Sequence, residues 1–308
     1  MAALMELPQA LAGVEATVAC PLCGAVNNHT EHTIEEVEIR NCDECGFVFA
    51  LGGAAEDTEE GYYESMGGYE RFLAVKRPEW RELFEDLARR ANGRKLLEVG
   101  CARGYALFVA REMGWLPYGV EVSGEDAEFA RSRLGLQVHH GTLADCTFDD
   151  ASFDVVILWS VIEHISDPLP ALRNCRRLLK PGGLLSIATC NVGSVVAHEA
   201  GREWSMYHLP GHVSFFMPAT MRYALSNAGL EIREMKTGLG TRPVNVDPKA
   251  RGRLSARKVA ARFTSSLGLK EPLRQVIYKL KPALRDKGEF MSVIARNRQS
   301  PELGTGTS

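Results

Sequence analysis

From Arg94 onward the 308-residue chain alternates short apolar runs with amphipathic ones, and few architectures satisfy that order. Lys95–Val99 reads as a buried strand, Tyr105–Met113 as a helix, Tyr118–Val122 as a strand and Glu125–Arg133 as a helix. Leu136–His140 and Asp154–Trp159 continue as strands. Leu169–Leu179 is a helical run stopped by Lys180-Pro181-Gly182-Gly183, and Leu184–Thr189 is the strand that follows. A helix over Ala219–Ala228 ends at Gly229, and strands at Glu231–Met235 and Phe290–Ala295 close the series. Strands joined through helices predict a mostly parallel, doubly wound α/β sheet with helices on both faces. Ligands of such sheets sit beyond the carboxyl ends of the strands. Ahead of the sheet, Trp80, Leu83, Phe84, Leu87, Ala88 and Ala91 recur at helical spacing, which predicts a helix beginning after Pro78.

Cysteine spacing adds a second unit. Cys20-Pro-Leu-Cys23 and Cys42-Asp-Glu-Cys45 are two matched pairs, eighteen residues apart, each followed by glycine (Gly24, Gly46). A tight turn points both thiolates of a pair to one side, and two such turns complete a tetrahedral shell, so the pattern predicts a zinc ribbon with structural Zn2+. Four cysteines fill the shell and leave no open catalytic position. A redox dithiol is the rival reading, and His29 or His32 is the alternative ligand should one cysteine be replaced. Glu31–Arg40, between the pairs, alternates as small strands would. The N-terminus lacks a basic lead and carries Glu6 and Pro8 where a signal peptide needs an unbroken apolar run, so a cytoplasmic, reducing location is expected.

Leu96-Leu97-Glu98-Val99-Gly100-Cys101-Ala102-Arg103-Gly104 ends the first strand of the series and opens the next helix. Gly100 and Gly104 permit a tight turn with close backbone approach to a ligand. The spacing is Gly-x-x-x-Gly after an acidic residue, unlike the Gly-x-Gly-x-x-Gly of dinucleotide sites. Glu121, about twenty positions later at a strand end, suits ribose hydroxyls because a carboxylate only accepts hydrogen bonds.

Together these residues resemble the class I S-adenosylmethionine-dependent methyltransferases. Glu98–Gly104 is similar to that family's first motif, with Ala102 in place of the usual middle glycine. Tyr118-Gly119-Val120-Glu121-Val122-Ser123 resembles the second. Gly141-Thr142-Leu143 with Phe148–Val156 resembles the third, and Leu178–Gly183 the loop before the fifth strand. The resemblance covers Arg94 to Met235 and implies a seven-stranded Rossmann-like sheet. It implies that Glu98, Gly100, Cys101, Ala102 and Gly104 form the turn beneath the methionine and ribose of S-adenosyl-L-methionine. Glu121 and Val122 would lie at the ribose, Thr142 and Leu143 at the adenine, and Trp159 and Ser160 beside the sulfonium. One subfamily, which joins a zinc ribbon to this core, carries signals like Glu163-His164-Ile165-Ser166-Asp167-Pro168 and Trp204…Pro210-Gly211-His212…Phe215-Phe216. Its relatives include the ubiquinone-biosynthesis O-methyltransferases, in which a further Glu joins the Glu-His pair to bind a divalent metal. This chain has Ser160 there.

Methyl transfer needs alignment, and a base only when the acceptor loses a proton. His212, in the loop that caps the acceptor pocket in this subfamily, is the first candidate for base or acceptor orienter. His208, His164 and Glu163 follow; a neutral imidazole is basic at cellular pH. Tyr62, Tyr63 and Tyr69 resemble an aromatic segment that folds over the cofactor. His139 and His140 read as structural, and Cys101 as a small turn residue.

The expected organisation is a zinc ribbon over 1–52, a helical, Tyr-rich connector and cap over 53–92, and a methyltransferase domain over 93–308. Inside the last lies a basic insertion, 241–288, with 13 Lys+Arg against 3 Asp+Glu in a chain of net charge −3. With 45% hydrophobic residues the chain is no disordered tail, and no run is long enough to span a membrane. The function expected is methyl transfer to a small-molecule acceptor, an O-methyltransferase of a biosynthetic pathway (EC 2.1.1.-). The basic insertion suggests an anionic or carrier-bound acceptor. A methyltransferase acting on RNA or protein is the alternative, and a non-catalytic cofactor-binding scaffold the further one. The insertion's few aromatics speak against nucleic acid. Oligomeric state is left open.

Overall fold

The computed structural model describes residues 18–52, 69–238 and 287–298. Tyr62, Tyr63 and nearly all of the basic insertion lie outside the described residues.

Seven strands form one sheet: β4 (Lys95–Val99), β5 (Leu116–Glu121), β6 (Gln137–His140), β7 (Phe153–Trp159), β8 (Leu179–Cys190), β10 (Leu230–Gly238) and β11 (Phe290–Asn297). Their order is β10-β11-β8-β7-β4-β5-β6. β4, β5, β6, β7 and β8 run parallel, and β11 is antiparallel to both of its neighbours, β8 and β10. The chain reverses direction about β4, which makes the ends of β4 and β7 the switch point where a doubly wound sheet opens.

Helices cover both faces. α1 (Tyr69–Arg90), α2 (Tyr105–Glu112) and α3 (Gly124–Leu134) bury Phe84, Leu87, Leu107, Val109, Ala127 and Ala130 against Leu96, Val155, Ile157 and Leu184. On the other face α4 (Pro168–Leu178) and α6 (Pro218–Asn227) bury Leu172, Cys175, Leu178, Met221 and Leu225 against Leu97, Val156, Leu158 and Leu185. Consecutive residues of the central strands thus serve opposite layers, as the two-residue period of a strand requires. The expected helix over Ala219–Ala228 is found within one residue at its start. The helix expected to begin after Pro78 begins instead at Tyr69 and runs through Pro78. Proline removes one hydrogen bond there, but Phe72, in the first turns, is buried against Trp80 and Tyr105, and that burial holds the earlier turns helical.

The N-terminal strands β1 (Asn28–Ile34), β2 (Val37–Cys42) and β3 (Val48–Leu51) form an antiparallel sheet of their own. Its fourth strand comes from far along the chain: β9 (Ser214–Phe215), which follows the short helix α5 (Val195–Ala200). Val48 pairs with Phe215 and Phe49 with Ser214, and the Ala50 N–H donates to Val213 O at 2.9 Å. Phe47, fully buried, packs its ring on Phe216 at 4.9 Å. The ribbon is therefore built into the same body as the larger sheet.

Candidate active site

The turn after β4 is conformationally demanding. Gly100 (φ 66°), Ala102 (φ 46°) and Gly104 (φ 76°) all take left-handed backbone. A Cβ on Gly100 would lie 2.6 Å from Val161 Cγ2, just past β7, so glycine there satisfies both the turn and the close approach of two strand ends. Ala102 holds positive φ with a side chain, a strain that clusters at functional sites.

Glu121 closes the turn from the neighbouring strand. Its Oε2 accepts the Ala102 N–H at 2.7 Å and its Oε1 the Ser123 N–H at 2.8 Å. Each oxygen keeps a further lone pair. Burial pushes this carboxyl above its ordinary range, against the pull of those N–H donors. Glu98, equally buried, is pushed up to about 8 by burial and by the charge of Glu121, and its Oε2 has no hydrogen-bond partner among the described residues. Cys101 is a buried thiol held well above its usual range by burial and both carboxyls.

The other expected cofactor contacts ring this turn. Val122 exposes its side chain and accepts a hydrogen bond from His140 Nε2 on its carbonyl at 3.1 Å, which gives His140 a structural role. Thr142 is exposed, and both its hydroxyl (2.6 Å) and its N–H (3.0 Å) donate to Asp145 Oδ2. Leu143 is buried, and its carbonyl accepts from Asn174 Nδ2 at 2.9 Å. Trp159 donates Nε1–H to Ser186 Oγ at 3.0 Å and packs its ring 5.7 Å from Phe84 of α1. Ser160 is another non-glycine residue with positive φ (56°), its N–H tied to Ala188 O at 2.8 Å.

Beyond β7 a single 3-10 turn, Ile162–His164, brings a second group together. Glu163 is fully buried; its Oε2 accepts the Thr189 hydroxyl at 2.8 Å and its Oε1 has no hydrogen-bond partner among the described residues. Burial raises this carboxyl, opposed by His164. His164 Nδ1 lies 3.1 Å from Gly211 O and His212 Nδ1 lies 2.8 Å from Met206 O. A carbonyl only accepts, so each Nδ1 carries the proton and the Nε2 of each neutral ring is the basic nitrogen. The His164 and His212 rings stand 4.7 Å apart, nearly perpendicular, and His208 lies 5.6 Å from His212. Ligand atoms of Glu163, His164 and His212 all fall within 4.8 Å of one another. All four expected catalytic residues thus form one cluster, which joins the switch-point edge through Val161 and Ile162.

The family model for a methyltransferase domain matches residues 69–235, the span from α1 to β10 that carries both groups. The chain belongs to the class I S-adenosylmethionine-dependent methyltransferases. It is 30% identical over 153 residues to a probable S-adenosylmethionine-dependent methyltransferase of Mycolicibacterium smegmatis, aligning 49% of this methyltransferase with 58% of the relative's length. With a ubiquinone biosynthesis O-methyltransferase of Haemophilus ducreyi it shares 30% identity over 172 residues, half of this chain and 73% of that one. Among solved structures, that of a putative sarcosine dimethylglycine methyltransferase from Galdieria sulphuraria superposes with a TM-score of 0.52 over 79% of this chain and 99% of its own, at 15% identity, a likeness of fold.

The methyltransferase also carries the four-cysteine cluster. Cys20 and Cys45 Sγ are 3.7 Å apart, Cys23 and Cys42 Sγ 3.6 Å, and all four sulfurs lie within 4.8 Å of one another. Four sulfurs at about 2.3 Å from a tetrahedral Zn2+ stand about 3.8 Å apart, so the cluster fits that ion. The two turns are built alike: Gly24 N–H donates to Cys20 O and Gly46 N–H to Cys42 O, each at 2.8 Å, with φ 79° and 72° at the glycines. His29 pairs with Asp43 at 2.7 Å and His32 packs on Tyr207, so neither joins the sulfurs. No helix among the described residues is long and apolar enough to cross a membrane.

Several supporting residues carried no signal in the sequence. Asp145, Thr189 and Ser186 fix Thr142, Glu163 and Trp159, but each lies on a different element from its partner or in an irregular turn, where no periodicity reports it.

Proposed function

We propose that this methyltransferase transfers the methyl group of S-adenosyl-L-methionine to an oxygen of a small-molecule acceptor, with His212 as base. The observation that carries the reading is the carbonyl-fixed tautomer of His212 and His164, which makes Nε2 the basic nitrogen of each ring, in a cluster with the buried Glu163. Likeness to ubiquinone biosynthesis O-methyltransferases, at 30–35% identity, supports oxygen as the attacking atom.

The turn fits the cofactor on its own chemistry. Glycine is needed where a Cβ would fill the cradle, Glu121 has acceptor capacity left for ribose hydroxyls, and the orphaned Glu98 Oε2 suits a cationic neighbour. When bound, S-adenosyl-L-methionine supplies a methyl group already activated by its sulfonium. Gly100, Cys101 and Ala102 hold the methionine and ribose by backbone; Glu121 and Val122 orient the ribose, and Thr142, Leu143 and Asp145 bound the adenine. Trp159 and Ser160 shape the far wall. His212 takes the acceptor's proton on Nε2, His164 orients it, His208 flanks it, and Glu163 stabilises the imidazolium that results. Cys20, Cys23, Cys42 and Cys45 hold structural zinc, which fixes the ribbon. The division into a ribbon (1–52), a connector and cap (53–92) and a transfer domain (93–308) follows the same reading. An acceptor that is anionic or carrier-bound accords with the basic insertion, and a reducing cytoplasm with the thiolate cluster.

A transfer assay with methyl-labelled cofactor and cell extract tests it. Label in small molecules, with the methyl on oxygen by mass spectrometry, is the expected result. Label on RNA or protein overturns it in favour of a macromolecular acceptor, and no transfer at all in favour of a scaffold.

A further inference from the structure

Where the end of α1 meets β8, β11 and β10, away from the Gly100 turn at the end of β4, a cleft of about 370 Å³ is lined by Arg89, Arg90, Leu184, Arg233, Ile294 and Arg296. Four of its six lining residues are arginines drawn from three elements. Arg89 and Arg90 end α1, where the helix carbonyls favour cations. Arg296 faces Leu184 across the β11–β8 pairing.

Arg233 joins them from β10. Glu231 pairs with Arg296, so the alternation of the strand puts Arg233 on the face of Arg296. Ile232 pairs with Ala295 but Glu234 with Ile294, so Arg233 is an extra residue, and this bulge lets Arg233 and Glu234 share the face that carries Ile294 and Arg296.

The carboxylates nearby leave this charge incompletely answered. Among the described residues, Asp86 is shared by Arg89 (3.2 Å) and Arg90 (2.8 Å), Glu234 by Arg90 (3.2 Å) and Lys236 (2.5 Å), and Glu231 pairs with Arg233 (3.2 Å). Arg296 has no ion pair, and its buried Nε has no hydrogen-bond partner among the described residues. An enclosed guanidinium nitrogen with nothing to donate to is costly unless an acceptor arrives from outside.

We propose that this cleft binds a small polyphosphorylated anion, its phosphates gripped by Arg233 and Arg296 on the strand side and by Arg89 and Arg90 on the helix side. Guanidinium forks match phosphate oxygens two by two, and donors on two walls match two linked phosphates better than one. The Asp86 and Glu231 carboxylates are half-buried and still reached by solvent, so their pairs yield at modest cost. The volume lies at the small end of small-molecule sites and suits a compact ligand. The site is separate from methyl transfer and does not rest on the acceptor assigned above.

Isothermal titration of the full-length protein with pyrophosphate tests this. Saturable binding is expected, weakened by added salt and at least about tenfold weaker for orthophosphate. Arg233→Gln and Arg296→Gln should each weaken it about 10- to 100-fold. Arg296→Lys, which keeps the charge and the strand, should also lose affinity because a point charge lacks the fork. S-adenosyl-L-methionine binding, measured on the same samples and expected to be unchanged, reports that the variants are folded. The proposal is overturned by absent pyrophosphate binding in folded wild-type protein, by equal affinity for orthophosphate, or by affinity that ignores Arg233 and Arg296.

Discussion

His164 and His212 stand ring against ring, centroids 4.7 Å apart and planes at 84°, each with its Nδ1 committed to a backbone carbonyl. Because those carbonyls fix the tautomer, the basic edge of each ring is set by the backbone. His212→Ala should lower turnover by about 10²–10⁴-fold while the Kd for S-adenosyl-L-methionine stays within about twofold. Single-turnover kinetics with the true acceptor, paired with cofactor titration, separates the two. Full turnover in the variant removes His212 from the mechanism.

Glu121 ties the cofactor turn to its neighbouring strand through two backbone N–H donors. Replacing it with alanine leaves the Ala102 N–H without its acceptor and removes the acceptor proposed for the ribose. Hydrogen bonds to charged groups contribute about 1.5–3 kcal/mol, so cofactor affinity should fall about 10- to 100-fold. Titration calorimetry of Glu121→Ala reads this directly, and an unchanged Kd would remove Glu121 from the cofactor site.

Glu98 gives stability a pH dependence of known sign. Its carboxyl is raised from 4.5 to about 8 in the folded protein. Between those values the folded state holds a proton that the unfolded chain has released. The contribution is therefore fully present below about pH 4.5, declines as pH rises through the window and is exhausted above about 8. Glu289, pushed up to about 7 by burial, acts in the same direction over a narrower range. Denaturant unfolding of ligand-free protein at several pH values should show wild type losing up to a few kcal/mol across the window. Glu98→Gln should flatten the curve, and parallel curves for the two proteins would contradict the assignment.

The cysteine cluster predicts one metal ion per chain. Metal analysis of the purified protein should find one zinc, and Cys42→Ser should lose it and lower thermal stability. Since β3 pairs with β9, hydrogen exchange should also quicken at Ser214 and Phe215 when zinc is removed. Exchange confined to the N-terminal strands would show that the two sheets are energetically independent.

Much of this was legible in the chain itself. The strand–helix alternation, the glycine turn and the paired cysteines are local signals, written in residues that lie close together in sequence. Pro78 misled because a local breaker was outweighed by burial of Phe72, a tertiary effect. The sequence offers His164 and His212 only as separate candidates; that they meet was not legible, since no pattern along the chain encodes which loops touch. Thr189 and Ser186 were invisible for the same reason, since each matters through one hydrogen bond to a distant partner, and Asp145 because its bonds to Thr142 belong to an irregular turn. The bulge at Arg233 likewise depends on how β10 registers with β11 and leaves no mark in the sequence of either strand.

The pairing of Val48 with Phe215 also limits how this protein can be cut. A boundary drawn at residue 52 looks like a linker on paper, yet severing there divides a sheet. A truncated transfer domain would carry Val213, Ser214 and Phe215 with bare backbone where Ala50 and its neighbours had been. A ribbon expressed alone would show an open strand at β3. Shuffling such ribbons between relatives as interchangeable cassettes would require moving the histidine loop with them.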